Sequence, residues 1–315
     1  MNRAILIAAA IWAGPAAASG FPVTIDNCGV PERIDRAPTR AVSTDVNITE
    51  TMLVLGLEGQ MAGYAGVSGP EEISPSLRAR LDGVPRLAGD YPSLEILLAA
   101  QADFYAAGWG YGLLAGTEMT PESLASHGIG SYAIRESCIR LGARPPIGLS
   151  DMYEDLLAIG RIFGVEGRAS SLVDMYRTRA EAVASRVALA PAVPVFVYDS
   201  GDDAPLTAGG QAMPTALIAA AGGRNIMADL ANSWTTTSWE TVVARDPAVI
   251  VIVDYGPTTA AQKIEFLEHA PSLAGVSAIR ARRFVAIPYA AATPGVRNVD
   301  AVETLARVLH PEIAW

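Results

Sequence analysis

The hydrophobic positions of this chain change period twice, and the changes divide it into three stretches. In the first, short apolar runs alternate with polar breaks and brief helical patterns. Pro22 to Asp26 and Arg33 to Asp35 read as a small hairpin around Asn27-Cys28-Gly29. Thr39 to Ser43 reads as a strand, Asp45 to Thr49 as a polar loop, and Glu50 to Leu57 as a helix ended by Gly56 and Gly59. Met61 to Ala65 and Asp103 to Ala107 are further strands, with helices around Ser76–Leu81 and Leu94–Ala99.

From Ser150 to Leu189 no strand signal appears. Asp151 to Phe163 predicts one helix, broken by Gly164-Val165-Glu166-Gly167. Arg168 to Leu189 then carries Leu172, Tyr176, Val183 and Val187 on one helical stripe. At 1.5 Å per residue this helix is about 33 Å long, enough to bridge two lobes. Pro191 and Pro194 end it. Strands and helices then alternate again: Val195 to Tyr198, the loop Asp199 to Gly210, and the helix Met213 to Ala221 stopped by Gly222-Gly223. Val249 to Val253 is apolar throughout, the pattern of a parallel sheet covered on both faces. The expected architecture is α/β: two Rossmann-like lobes with mostly parallel sheets, residues 21–165 and 191–315, joined by a single long α-helix at 166–190.

Two segments recur in the same order in both halves. Ser93-Leu94-Glu95 and Ser238-Trp239-Glu240 each open a short apolar helix that leads through a polar break into a buried strand. MLVLGLEGQMAGY near Met52 and LIAAAGGRNIMAD near Leu217 match as helix end, glycine and strand. Two matches in register point to a duplicated lobe. In each Ser-x-Glu the serine is placed to cap, and the glutamate falls in the first turn, where the helix dipole favours negative charge.

Composition narrows the setting. Half of the 315 residues are hydrophobic and 18% are charged, ample for a sizeable core. Residues 1–20, MNRAILIAAAIWAGPAAASG, read as a secretory signal cleaved near residues 18–20. The mature protein is then expected to be soluble in a periplasm, where the even count of Cys28 and Cys138 favours a disulfide. A formal net charge of −10 argues against nucleic acid or anionic lipid as partners.

Catalytic residue patterns are sparse. His127, His269 and His310 are isolated at helix ends without metal-ligand spacing. Gly66-Val67-Ser68-Gly69 lacks the second glycine of a nucleophile elbow, and no glycine-rich loop matches a dinucleotide or phosphate-binding fingerprint. The loops after strands are richer: Asp45-Val46-Asn47, Gly108-Trp109-Gly110-Tyr111, Asp199 to Asp203, Ser233 to Thr237, Asp254-Tyr255-Gly256, and Tyr289 with Thr293 to Arg297. Ligands of open parallel sheets bind at the carboxyl ends of strands. Aromatic faces, hydroxyls and one guanidinium there suit a sizeable, partly planar, oxygen-rich ligand. The candidate ligand residues are Asn47, Trp109, Tyr111, Trp234, Tyr255 and Arg297; Trp239 and Tyr289 read rather as packing anchors. Arg297 is placed either to hold an anionic group or to pair with Asp300.

TRAVSTDVNITETMLVLGL, PSLEILLAAQADFYAAG, the helical connector, TTTSWETVVARDPAVIVIVDYG and IPYAAATPGVRNVDAVETLA together resemble the helical-backbone (class III) periplasmic substrate-binding proteins of ABC importers for ferric siderophores, haem and vitamin B12. The resemblance covers essentially the whole mature chain. It implies a monomeric, non-enzymatic receptor without a cofactor of its own, whose small-molecule ligand is a metal chelate or a corrinoid-class compound that can itself contain iron or cobalt. It also implies that Glu95 and Glu240 dock onto the permease dimer of the inner membrane. The chain departs from the catecholate binders in having no cluster of three loop arginines, and it has no Tyr or His pair that signals haem. Two alternatives stay open on the same fold: an exported enzyme, and a ligand-sensing partner of a membrane signalling protein.

Overall fold

The computed structural model describes residues 20–315, so the expected signal at 1–20 lies outside the described residues except for Gly20. The chain opens with the antiparallel hairpin of β1 (Val23–Asn27) and β2 (Val30–Ile34). Cys28 and Gly29 turn it, both at positive φ, which matches the twist of a tight two-residue hairpin.

The first lobe runs β3 (Ala41–Thr44), α1 (Val46–Val54), β4 (Met61–Ala65), α2 (Leu94–Ala99), β5 (Phe104–Trp109), the short β6 (Gly112–Leu113), α3 (Pro121–Ser126) and β7 (Gly130–Ala133). Its sheet has the order β4-β3-β5-β7, all parallel. Two helices follow, α4 (Leu149–Ile162) and α5 (Glu166–Val187). The second lobe runs β8 (Val193–Tyr198), β9 (Leu206–Ala208), α6 (Met213–Ala220), β10 (Gly223–Asn225), β11 (Trp234–Thr236), α7 (Trp239–Arg245), β12 (Val249–Asp254), α8 (Ala260–His269), α9 (Ser277–Arg280), β13 (Phe284–Pro288), α10 (Tyr289–Ala292) and α11 (Asn298–Leu309). Its main sheet has the order β10-β8-β12-β13, again all parallel. The two orders are the same when each lobe is counted from its own first strand, and α2 and α7 occupy equivalent places. This is the duplication that the repeated segments suggested.

The reason for the parallel arrangement is visible in burial. Val249 to Val253 are fully buried, covered by helices on both faces, so no polar alternation is needed. α5 buries Ala169, Val173, Tyr176, Ala180, Val183 and Val187, a spacing of four and three that makes one stripe. Leu172, expected on that stripe, is only half-buried, because Val173 takes the inward position.

Helix starts differ from the sequence reading in two places. The segment Asp45 to Thr49 is not a loop: α1 already begins at Val46, and Asp45 accepts the Val46 N–H at 2.8 Å through its carboxylate. Ser76–Leu81 forms only a 3-10 turn, Arg78–Leu81. Gly83, Pro85 and the turn chemistry around them leave too few residues for a regular helix.

The lobes are fastened to α5 and to each other. Arg168 donates to the Leu55 carbonyl of the first lobe, and Arg179 donates to Asp300 at 2.5 Å and Glu303 at 2.9 Å of the second. One apolar core runs without interruption from Met152 and Leu156 of α4 through Val173 to Val302 and Leu305 of α11. Such a shared core limits relative movement of the lobes to small rocking or hinge displacements. Cys28 and Cys138 are disulfide-bonded and tie the hairpin to the 3-10 turn Arg135–Arg140.

Candidate functional site

Between the lobes lies an open cleft of about 700 Å³. It sits at the carboxyl ends of strands in both sheets, where loops leave a parallel sheet and side chains face outward. From the first lobe, Asp45 follows β3 and Gly66 follows β4; from the second, Asp254 ends β12 with Tyr255 next, and Tyr289 follows β13. The loop after β4 adds Glu71, Glu72, Asp90 and Tyr91.

Asp45 is the polar centre of this wall. Its carboxylate accepts the Tyr289 hydroxyl at 2.9 Å across the lobe boundary, and the Tyr91 hydroxyl at 3.4 Å. Burial pushes the Asp45 carboxyl up from the usual carboxylate range, while the Val46 N–H and the two phenols pull it back. Burial also raises the Tyr289 and Tyr91 phenols, with the Asp45 charge adding to it, so both hold their protons and donate. On the other side Tyr255 donates to Asp199 at 2.7 Å, and its ring stands 5.3 Å from that of Tyr289. Burial and Asp199 push Tyr255 up to about 12. Tyr255 remains 41% exposed, a ring face available to a ligand.

Of the six candidate ligand residues, the structure places Tyr255 and Arg297 on the cleft wall. Arg297 is not free, and its partner is not Asp300. Its guanidinium grips Glu50 by two hydrogen bonds, at 2.7 and 2.5 Å, and also donates to the Glu72 carbonyl. Asp300 pairs with Arg179 instead. Glu50 has no exposed side-chain surface, so this is a buried inter-lobe ion pair.

The other four lie off the cleft. Asn47, inside α1, donates to the Pro294 carbonyl at 2.7 Å and clasps the lobes together. Trp109 ends β5 and is buried in the cluster with Leu94, Leu97 and Leu113, because the flanking glycines let neighbouring elements close over it. Trp234 is half-buried on the edge pair β9–β11. Tyr111 is buried under Arg140, whose guanidinium stands 5.7 Å over the ring, and its hydroxyl has no partner.

Asp45, Tyr91 and Tyr289 were not among the candidates. Asp45 and Tyr289 stood in the strand-end loops, but Tyr289 reads locally as a packing anchor. It does pack against the core, and it also faces the cleft. Tyr91 carries no local signal, since the long loop after β4 brings it in from outside the strand ends. Trp239 does anchor, against Phe196, Tyr198 and Phe266.

Glu95 and Glu240 are exposed, each the second residue of its helix, α2 and α7. The Ser93 hydroxyl holds the Glu95 carboxyl below its ordinary value, and Glu240 is lowered by its own backbone N–H and then by Ser238. The capping differs: Ser238 accepts the Thr241 N–H, whereas Ser93 makes no such side-chain bond. His127 and His269 bond helix carbonyls, and His310 is buried against the Gly222 carbonyl.

Duplicated parallel sheets, a rigid helical connector and a cleft at facing strand ends define a two-lobed ligand-binding protein. The profile of the family described as "Periplasmic binding protein" matches residues 42–291. The fold resembles a periplasmic binding protein from Veillonella parvula, with a TM-score of 0.80, 31% identity, and 92% of this chain and 97% of that chain covered. It also resembles an ABC-type Fe3+-hydroxamate transport system protein from Saccharomonospora viridis, with a TM-score of 0.78, 25% identity, and 91% and 99% covered. A periplasmic heme binding protein from Pseudomonas aeruginosa shares the fold at a TM-score of 0.68, with 23% identity and 88% and 94% covered. No curated protein sequence matches the chain. The chain belongs to the periplasmic binding protein family. Among the described residues no helix is long and apolar enough to cross a membrane.

Proposed function

We propose that this protein is the periplasmic receptor of an ABC importer, exported by its N-terminal signal, which binds a metal chelate between its lobes and delivers it to a permease dimer. The observation that carries this reading is the inter-lobe cleft at the carboxyl ends of both sheets, walled by the phenols of Tyr91, Tyr255 and Tyr289. Its volume, about 700 Å³, suits a ligand the size of a wrapped metal complex. The Saccharomonospora viridis protein, named for Fe3+-hydroxamate transport, favours a ferric chelate over a corrinoid as the first ligand to try. Glu95 and Glu240 are the permease contacts in this reading: one exposed carboxylate at the same place on each lobe matches a two-fold partner. The lobes rock rather than hinge widely, because α5 and the shared core hold them.

The discriminating experiment is native mass spectrometry of the mature protein with a ferric trihydroxamate and with cyanocobalamin. One equivalent of an unaltered ferric chelate retained per monomer supports the receptor. Conversion of more than one equivalent to a new mass establishes an enzyme instead.

A further inference from the structure

The charge balance of the cleft goes a step beyond its shape. Asp45, Glu71, Glu72, Asp90 and Asp254 all line it, and among the described residues none of the five is in an ion pair. The one guanidinium in the wall, Arg297, is already matched by Glu50. The nearby cations bond neutral groups, and among the described residues none forms an ion pair with the five carboxylates. Lys263, the only lysine of the chain, is buried behind Tyr255 and donates to the Val253 carbonyl at 2.6 Å. Arg86 donates to the Ser68 carbonyl, and Arg140 lies over the Tyr111 ring.

A ligand seated here displaces water from the four exposed carboxylates, Glu71, Glu72, Asp90 and Asp254, while Asp45 is already buried against Tyr91 and Tyr289. Unpaired carboxylates that lose water are costly unless an opposite charge replaces it. An anionic ligand would add repulsion to that cost, and a neutral one would leave it standing. We infer that the cleft selects a ligand of net positive charge; the inference rests on the receptor reading above and specifies its ligand class.

Two further observations bear on the form of that charge. Among the described residues no three carboxylate, histidine or cysteine side chains converge to hold a metal ion, so a bare cation has no cage and the charge belongs to a larger body. The cleft also offers what such a body uses. Tyr255 and Tyr289 present π faces that attract cations.

The test compares ferrioxamine B, a ferric trihydroxamate with a free terminal ammonium, with its N-acetylated form, which keeps the metal centre and loses the charge. Ferric citrate serves as an anionic chelate and ferric chloride as the metal alone. Binding is measured by tryptophan and tyrosine fluorescence at low salt, on the wild type and on the Asp90→Asn/Asp254→Asn variant. Both changes are at exposed positions, and circular dichroism confirms folding. The expected result is about tenfold tighter binding of the ammonium form. That gap should narrow in high salt and in the double variant. Equal or tighter binding of the acetylated form or of ferric citrate overturns the charge inference and leaves the receptor standing. Saturable binding of the metal alone, as tight as that of the chelate, overturns it too. If no chelate binds, the receptor reading falls with it.

Discussion

At the scale of single residues, the cleft is held in shape by carboxylates that bond across the lobe boundary. Glu50 and Arg297 form the ion pair among these contacts, with the Glu50 side chain fully buried. Removing one partner leaves the other charged and dry, so Arg297→Ala is expected to lower the unfolding free energy by about 3–5 kcal/mol in urea titrations. Glu50→Gln/Arg297→Met should recover most of the loss, because the buried charge disappears while Gln still accepts the Ser74 N–H. Glu136 is a different case. It is fully buried, takes the Met213 N–H and the Ser233 hydroxyl across the boundary, and leaves its second oxygen without a partner. Burial pushes its carboxyl up to about 7 from an ordinary 4.5. The folded state therefore holds a proton that the unfolded state releases between these values. The contribution of Glu136 to stability is fully present below about 4.5 and is lost as pH rises through about 7. Asp155, which burial also raises to about 7, adds to the slope in the same direction. Glu136→Gln should flatten the profile of melting temperature against pH but leave the Asp155 share; an unchanged profile would show that Glu136 is ionised throughout.

At the scale of elements, the disulfide and the helix starts are the informative features. The Cys28–Cys138 bond closes a loop across a sequence separation of 110 residues, and on the chain-entropy account its loss costs about 5 kcal/mol. Cys28→Ser/Cys138→Ser should lower the melting temperature, and proteolysis should then cut first in the hairpin of β1 and β2. Strands and long helices were readable in the sequence because burial on both faces, or on one stripe, imposes a period over many residues: Val249 to Val253 and α5 are the clear cases. The start of α1 was not, since Asp45 caps its own helix at φ 72 and ψ 160, a conformation rarely taken by any residue but glycine, which a sequence does not announce. Two of the six candidate residues reached the cleft. Tyr255 follows a strand end directly and Arg297 stands at the N-cap of α11, whereas Tyr91 arrives on a long loop, and Asn47, Trp109 and Tyr111 are drawn into packing by neighbours far along the chain.

At the scale of the whole molecule, two copies of one α/β plan face each other across a cleft, and a shared core and one long helix restrict their motion. The repeated Ser-x-Glu gives each lobe an exposed carboxylate at an equivalent helix start, as a two-fold membrane partner would read it. Glu95→Ala/Glu240→Ala should leave chelate binding unchanged and reduce stimulation of the reconstituted permease by tenfold or more; intact stimulation would assign these residues to capping alone. The central claim, that the inter-lobe cleft is where the ligand sits, is tested most directly by calorimetric titration of ferrioxamine B into the wild type and into Tyr255→Ala/Asp254→Asn. The account predicts saturable one-to-one binding by the wild type and at least a tenfold weaker isotherm for the folded variant. Identical isotherms for the two proteins would contradict it.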